Sequence, residues 1–306
     1  RVNALAYRVD GSEVLSVGDD GTVGRTGTDP PVRRRPLAAA EPALGPLVSM
    51  AHYREKGKLG ELLAVGAENG QLRLWELRSE PPRERGRIAK AGSAGISLYE
   101  LRFSPDGETL AATTAATVSL WRTSDLHPID TTSIAHDANK DIRSLDFSPD
   151  GRLLATGGDD ETVRLWNVKA QPPLKEGNAI PTKSPVRRVR FSPDGQLLTA
   201  AVVKKEILLW SVENKKEFGS PLVGHPDIIR TLVYGPKRLL FSGDDETIWS
   251  WQVDMSDGRK RVCDRVNRNL AKEEWQNNLP GRPYCRLCPQ IPPGQDVAAT
   301  APECPP

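Results

Sequence analysis

Several features that are common in other protein classes are missing from this sequence. No cysteine occurs before residue 263, and the four cysteines are Cys263, Cys285, Cys288 and Cys304. This distribution argues against a disulfide-dense secreted scaffold. No run of about 18 apolar residues occurs, so no transmembrane helix is expected. No charged-then-apolar secretory leader is visible either, although any localisation signal upstream of Arg1 lies outside this sequence. We expect a cytoplasmic protein.

A strong excess of one charge and the common catalytic motifs are missing as well. The 42 lysines and arginines nearly balance 40 aspartates and glutamates, for a formal net charge of +2, so the composition does not call for an anionic partner. The sequence has no serine in a nucleophile elbow, no HExxH motif and no phosphate-binding glycine loop. It therefore predicts no enzyme active site, no cofactor and no metal site.

What the sequence does contain is a three-strand unit, clearest between residues 142 and 166. Alternating apolar and polar residues predict strands around Leu145, at 153–155 and at 162–166. Residues 148–151 (Ser-Pro-Asp-Gly) form the first turn, in which proline presets φ, aspartate bonds the backbone ahead and glycine takes the positive-φ position. A single meander of this size buries too little apolar surface to be stable, so it is expected to pack against further copies of the same unit.

The copies recur along the chain at a nearly constant period. Ser-Pro-Asp-Gly begins at Ser104, Ser148 and Ser192, with 44 residues between successive starts. The third strand ends in a tryptophan in five units, at Trp75, Trp121, Trp166, Trp210 and Trp251. Residues 2–26 repeat the same pattern with Thr26 in that place. Six units with a period of about 40–45 residues are typical of propeller blades.

These units resemble the repeats of the WD-repeat β-propeller family over about residues 1–254. The resemblance implies an all-β fold with six recognisable blades and a ring that is completed by a strand from the start of the domain. Arg1 lies within a predicted strand, so we expect the chain to be part of a longer polypeptide whose upstream sequence supplies a seventh blade. The alternative is a ring that closes with six blades.

The resemblance also implies a buried hydrogen-bonded set in each blade. It links a histidine before the first strand, a serine or threonine on the second, an aspartate in the next turn and the tryptophan of the third. Two units carry the full set: His136, Thr156, Asp160 and Trp166 in unit four, and His225, Ser242, Asp245 and Trp251 in unit six. We interpret these residues as structural rather than catalytic, because buried indole and imidazole groups need partners.

After residue 254 the apolar period changes to that of a helix. Residues 255–289 resemble a C-terminal helical cap found on bacterial multidomain WD-repeat signalling proteins. One helix is predicted after Ser256, with Val262 and Val266 on its apolar face, and a second around residues 271–279. The family pattern has threonine where this chain has Ala271, so the second helix lacks its best N-cap.

The cysteines of this segment leave alternatives open. By the resemblance, Cys263 and Cys288 match the two cysteines of the cap, either as a disulfide or as two packed thiols. A zinc site that includes Cys285 and Cys288 is the alternative, but no second CxxC motif and no histidine lies nearby. Residues 290–306 are rich in proline and small residues, and they predict a disordered tail.

Together these features predict a non-catalytic protein–protein interaction scaffold or sensor module. By the resemblance, it would be the C-terminal part of a larger bacterial signalling protein with an NTPase, protease-like or kinase module upstream. We expect a protein partner at a propeller mouth and no membrane contact. The alternatives are a propeller hydrolase that uses the central channel and a nucleic-acid-associated adaptor that uses residues 33–35 with Arg187, Arg188 and Arg190. The near-neutral charge counts against nucleic acid.

Overall fold

In the computed structural model the chain divides into two compact units. The first comprises residues 1–235 and 240–250, and the second comprises residues 236–239 and 251–306. The structure describes residues 1–8, 11–29, 33–34, 45–54, 60–77, 82–88, 98–129, 134–137, 140–170, 172–235, 238–253, 269 and 271–278. The strands of the repeats thus lie almost wholly in the first unit.

Each of the first three repeats forms an antiparallel sheet of four strands. Sheet one contains β1 (Val2–Tyr7), β2 (Glu13–Gly18), β3 (Val23–Gly27) and β4 (Arg33–Arg34). Sheet two contains β5 (Leu47–Arg54), β6 (Glu61–Ala67), β7 (Leu72–Glu76) and β8 (Arg83–Ile88). Sheet three contains β9 (Leu98–Phe103), β10 (Thr109–Thr114), β11 (Thr117–Arg122) and β12 (Pro128–Ile129).

The last three repeats follow the same meander, but among the described residues sheets five and six contain three strands each. Sheet four contains β13 (Ile142–Phe147), β14 (Leu153–Gly158) and β15 (Thr162–Asn167), and both β16 (Leu174–Lys175) and β17 (Ile180–Pro181) pair with β15. Sheet five contains β18 (Val186–Phe191), β19 (Leu197–Val202) and β20 (Ile207–Ser211). Sheet six contains β21 (Thr231–Tyr234), β22 (Leu239–Gly243) and β23 (Ile248–Gln252).

The six sheets are arranged as the blades of a β-propeller. Their first strands (β1, β5, β9, β13, β18 and β21) pack side by side in chain order from β1 to β21. Apolar clusters lie at the junctions of successive sheets. Leu15 and Val17 of sheet one pack with Leu63 and Trp75 of sheet two, for example, and later junctions repeat the arrangement. The core is therefore divided into layers between blades, which explains why one repeat alone would be unstable.

The Ser-Pro-Asp-Gly turns have the geometry that their residues predict. In the turn of sheet four, Ser148 Oγ donates to Asp150 Oδ1 at 2.5 Å and accepts from the backbone N of Leu153 at 2.8 Å. Gly151 has a φ of 68°, in the left-handed region that favours glycine. The turn thus fixes where β13 ends and β14 begins.

Large apolar side chains are exposed mainly on the first and sixth sheets. On β1, Leu5 and Tyr7 are 64% and 68% exposed, and in sheet six Val233 and Ile248 are 55% and 82% exposed. On β13 the apolar residues are buried. Sheets one and six therefore expose apolar surface. In sheet four, which packs against a neighbouring sheet on each side, the equivalent surface is buried.

The described part of the second unit contains the helix α1 (Lys272–Asn278). The side chain of Glu274 accepts a hydrogen bond from the backbone N of Ala271 at 2.7 Å, which is half of a capping box. Trp275 is 5% exposed. This helix lies within the second predicted helix, whereas the predicted helix after Ser256 lies outside the described residues.

Candidate functional site

The set predicted in unit four lies in one buried chain of contacts. Nε2 of His136 lies 2.7 Å from Oγ1 of Thr156, and the indole Nε1 of Trp166 donates to the same hydroxyl at 2.8 Å. Nδ1 of His136 lies 2.9 Å from Oδ1 of Asp160. Burial raises the pKa of Asp160, but its contacts with His136, Thr162 and Arg164 together outweigh burial and lower the pKa to about 2. The four side chains form one connected buried set, which fits a structural role.

In unit six the aspartate that we predicted is the wrong one. Nδ1 of His225 lies 2.8 Å from Oδ2 of Asp244, whereas Asp245 forms an exposed ion pair with Arg230 at 2.5 Å. The reason is the length of the turn. Sheet six has one glycine, Gly243, where sheet four has two, so the earlier aspartate reaches the histidine.

The other members of that set are placed as follows. Nε2 of His225 lies 2.6 Å from Oγ of Ser242, as the prediction requires. The tryptophan ring beside His225 is that of Trp249, with 5.4 Å between ring centroids, and its indole donates to Thr247 Oγ1 at 3.0 Å. Trp251 belongs to the second compact unit, and its place in the set stays a prediction.

Two groups of predicted residues lie outside the described part of the chain. Cys263, Cys285 and Cys288 belong to the first group, so the cysteine pair and the zinc alternative remain predictions. The second group is the side chains of residues 33–35.

His52, which does not fit the repeat pattern, joins a charge cluster between sheets one and two. Its Nε2 lies 2.8 Å from Glu61 Oε1, and Arg8 donates to Glu61 Oε2 at 3.0 Å. Arg25 binds Glu13 at 2.9 Å, and both of these side chains are buried. Burial raises the pKa of Glu61, but Arg8 and His52 lower it below its usual range. The cluster links sheets one and two, and its charged groups are paired with one another.

A cavity of about 750 Å³ lies between the first strands of the blades. It lies toward the end where these strands begin, and five of the six sheets or the segments leading into them contribute to its wall. The polar lining includes Tyr99, Glu100, Arg102, Arg187, Arg188 and Arg230. A concave surface that several blades share is the natural candidate for a binding site in this fold.

Glu100 is the centre of a buried polar network in the wall of this cavity. Its Oε1 accepts a hydrogen bond from Arg190 at 2.7 Å and lies 2.8 Å from the guanidinium of Arg102. Its Oε2 accepts from Ser144 Oγ at 2.5 Å. Burial raises the pKa of Glu100, but Arg190, Arg102 and Arg188 outweigh it and bring the pKa to about 2. One carboxylate thereby joins sheets three, four and five.

Asp146 is the second carboxylate of this network. Its Oδ2 accepts from the backbone N of Phe191 at 2.9 Å, and its Oδ1 lies 3.6 Å from Arg102. Burial raises the pKa of Asp146 above its usual value, because it outweighs the opposing effect of Arg190 and Arg102. Asp146 thereby connects sheet four with sheets three and five.

A second, more exposed layer of contacts runs along the rim of the cavity. The guanidinium of Arg143 lies 4.6 Å from the centroid of the Tyr99 ring and 2.6 Å from Asp159. Arg187 lies 3.4 Å from the same aspartate, and the hydroxyl of Tyr99 donates to Asp141 at 3.0 Å. Tyrosine and arginine side chains held in this way are typical of protein–protein contact surfaces.

We did not identify either layer from the sequence, although a signal was present. The position four residues before the serine of each Ser-Pro-Asp-Gly turn is occupied by Glu100, Ser144 and Arg188 in the three regular repeats. The position two residues before that serine is occupied by Arg102, Asp146 and Arg190. Charged residues at equivalent positions of successive first strands should meet at the centre of a propeller. The network could have been predicted by comparing these positions between repeats.

Among the described residues, no group of three or more histidine, cysteine, aspartate or glutamate side chains is arranged to hold a metal ion. Within the same part of the chain, no helix has the length and apolar character needed to cross a bilayer.

Comparison with known sequences supports the assignment of the repeats. Residues 129–167 match the family model described as WD domain, G-beta repeat. Over 118 residues the chain is 31% identical to Protein groucho of Drosophila melanogaster, and the same values hold for U3 small nucleolar RNA-associated protein 12 of Saccharomyces cerevisiae. Each match covers 38% of this chain but only 15% and 12% of the respective relative.

Comparison with solved structures supports the arrangement of the sheets. The chain is similar to a chain in the structure titled Crystal Structure of Mitotic Checkpoint Complex, with a TM-score of 0.69. The similarity covers 82% of this chain and 74% of that chain at 19% sequence identity, so it concerns the fold alone. With the repeat match and the six meander sheets, it identifies the fold as a WD-repeat β-propeller.

Proposed function

We propose that this protein is a non-catalytic interaction scaffold whose protein partner binds at the mouth of the central cavity. The observation that carries the proposal is the cavity of about 750 Å³, to which five sheets contribute and whose lining includes Tyr99 and Arg187, with Arg143 packed on the Tyr99 ring. The WD repeat at residues 129–167 supports a role in protein binding. Because the rim side chains are held by mutual contacts, a partner would bind them with little loss of conformational freedom.

The alternative of a propeller hydrolase has less support. Catalysis needs an acid, a base or a nucleophile that faces the substrate. In the cavity wall, Glu100 is bound by two arginines and a serine. The imidazole of His136 contacts Asp160 and Thr156, and that of His225 contacts Asp244 and Ser242. These groups are engaged in holding the scaffold.

The nucleic-acid alternative depends on arginines that face the phosphate backbone. Arg190 binds Glu100 and Arg187 lies beside Asp159, so these two arginines do not form an exposed basic stripe. The arginines of this segment therefore support the scaffold proposal better than binding to a nucleic-acid duplex.

The experiment is a selection of peptides followed by binding to matched variants. A library of random twelve-residue peptides would be displayed and panned on the immobilised chain, and the selected peptides would be titrated by fluorescence anisotropy. Tyr99→Ala, at the rim, should weaken their binding by about tenfold or more, as expected for a central aromatic contact. Leu174→Ala is the control, because Leu174 is 59% exposed on the outer strand β16.

The proposal fails if no peptide is selected, or if Leu174→Ala weakens binding as much as Tyr99→Ala does. Circular dichroism and the melting temperature of each variant would show that the fold is retained. Peptides that still bind Tyr99→Ala with full affinity would place the binding surface away from the rim.

We also propose that this propeller belongs to a longer protein. A cytoplasmic, multidomain bacterial signalling protein with a seventh blade upstream remains our hypothesis, and so does the helical cap at residues 255–289. The exposed apolar residues of sheets one and six support the further blade, since a sheet packed on each would cover them. Extending the chain upstream should then raise the melting temperature by several degrees. An unchanged melting temperature would contradict the seventh blade.

A further inference from the structure

The wall of the central cavity carries more positive than negative charge. The arginines in its lining are Arg1, Arg102, Arg187, Arg188 and Arg230, whereas the acidic residue there is Glu100. Arg187 lies 3.4 Å from Asp159 and Arg230 lies 2.5 Å from Asp245, so both have a carboxylate partner at the rim.

Deeper in the wall, the carboxylates are already engaged with other arginines. Oε1 of Glu100 is taken by Arg190 and Arg102 at 2.7 and 2.8 Å. Its Oε2 accepts from Ser144 Oγ and, at 3.2 Å, from the backbone N of Leu145. The acceptor positions of this carboxylate are therefore occupied.

Two lining arginines, Arg1 and Arg188, have a guanidinium with no ion pair among the described residues; Arg1 is exposed, whereas Arg188 is partly buried. Within the described part of the chain, the guanidinium of Arg188 donates to the backbone carbonyl of Arg187 at 2.8 Å and forms no ion pair. Burial lowers the pKa of Arg188, and the nearby positive charges of Arg190 and Arg102 act in the same direction against the attraction of Glu100. A partly buried cation that faces a cavity without a counterion is costly, and an anion in the cavity would offset that cost.

We propose that Arg188 anchors an oxyanion subsite in the central cavity, which binds an acidic or phosphorylated side chain of a partner peptide. The inference rests on the proposed function, because it specifies the chemistry of the partner at the same site. The planar fork of arginine binds two oxygens of a carboxylate or a phosphate side by side. The excess of arginines over carboxylates among the lining residues would attract such a group.

The test uses peptides of defined charge and fluorescence anisotropy. The probes are fluorescein-labelled hexaglutamate, a phosphoserine peptide of the same length flanked by glycines, and hexaglutamine as the neutral reference. We expect one or both anionic peptides to bind, and hexaglutamine not to bind. Raising NaCl from about 50 mM to about 500 mM should weaken the binding, since salt screens the attraction. Comparing the two anionic probes shows whether the subsite takes a carboxylate or a phosphate.

Three variants connect the binding to Arg188. Arg188→Gln should weaken binding of the anionic probe by about tenfold or more, and Arg188→Lys, which keeps the charge but not the planar fork, should weaken it less. Arg152→Gln is the matched control, because Arg152 is an exposed arginine in the turn between β13 and β14 and does not line the cavity. It should leave the affinity unchanged.

Stability measurements separate this role from a structural one. Because Arg188 forms no ion pair in the described structure and Arg188→Gln removes only a more distant attraction to Glu100, this substitution should change the melting temperature little. A marked drop in melting temperature would mean that Arg188 holds the fold, which would overturn the proposal. The proposal is also overturned if neither anionic peptide binds better than hexaglutamine, or if Arg152→Gln weakens binding as much as Arg188→Gln.

The failure of this inference can be told apart from the failure of the proposed function. If library peptides bind at the Tyr99 rim while both anionic probes fail, the scaffold proposal stands and the oxyanion subsite is refuted. If the anionic probes bind through Arg188 while the library yields no ligand, the subsite stands and the broader scaffold proposal fails.

Discussion

Replacing Glu100 with glutamine tests how much the buried charge network stabilises the propeller. The carboxylate is 7% exposed and is bound by Arg190, Arg102 and Ser144. Although burial opposes ionisation, the arginines lower the pKa of Glu100 from 4.5 to about 2. Because the folded-state pKa lies below the unfolded value, the charged form stabilises the fold above about pH 4.5, and this contribution is lost as the pH falls toward about 2.

The magnitude follows from the size of this shift. It corresponds to about 3 kcal/mol near pH 7, at the lower end of the roughly 3–5 kcal/mol that is typical when one partner of a buried ion pair is removed. Near pH 3, where the carboxyl group of the unfolded chain is already protonated, about 1 kcal/mol of the contribution should remain.

Urea unfolding followed by tryptophan fluorescence checks both values. Glu100→Gln should lower the free energy of unfolding by about 3 kcal/mol near pH 7 and by about 1 kcal/mol near pH 3. Glu176→Gln is the control, since Glu176 lies 3.9 Å from both Arg152 and Lys215 at the surface. It should change stability by less than about 0.5 kcal/mol. A loss below about 1 kcal/mol near pH 7, or equal losses at both pH values, would refute this reasoning.

Three further tests concern the blade network and the helix. Trp166→Phe should lower the free energy of unfolding in urea by about 1–3 kcal/mol, because Thr156 loses a hydrogen bond. Trp121→Phe should lower it less, since Trp121 donates no such bond within the described residues. Equal losses would contradict the assignment. Asp244→Asn should lower the melting temperature more than Asp245→Asn, because Asp244 contacts His225; the reverse order would restore the original prediction. Ala271→Thr should supply an N-cap worth about 1 kcal/mol to α1, seen as slower amide exchange in that helix, whereas unchanged exchange would argue against this cap.

The fold could be predicted because its signals depend on residues that are close in sequence. The turns at Gly107, Gly151 and Gly195 have φ angles of 72°, 68° and 72°, and each was readable from four consecutive residues. The constant spacing of these turns then predicted a propeller of WD repeats, and that prediction is confirmed by the sheets and the structural similarity.

The site was harder to predict because its partners come from different repeats. Glu100 and Ser144 are 44 positions apart, and Glu100 and Arg190 are 90 positions apart. The shared repeat pattern consists of positions that hold the same residue in several repeats. The charged residues of the network occupy positions at which the repeats differ, so the pattern does not predict them. The exchange of Asp245 for Asp244 has another cause, since a turn that is one residue shorter shifts which side chain faces His225.

The reach of Glu100 has a consequence for how this array of repeats can evolve. In most repeat proteins each unit contacts only its neighbours, so units can be duplicated or deleted with modest cost. Here one carboxylate on the third unit binds an arginine on the fifth, with Ser144 of the fourth between them. If a repeat were inserted or deleted between the third and fifth units, Arg190 would no longer lie beside Glu100, and the carboxylate of Glu100 would be buried without that partner. Unequal crossing-over should therefore be least tolerated in the stretch of the gene that encodes these three blades.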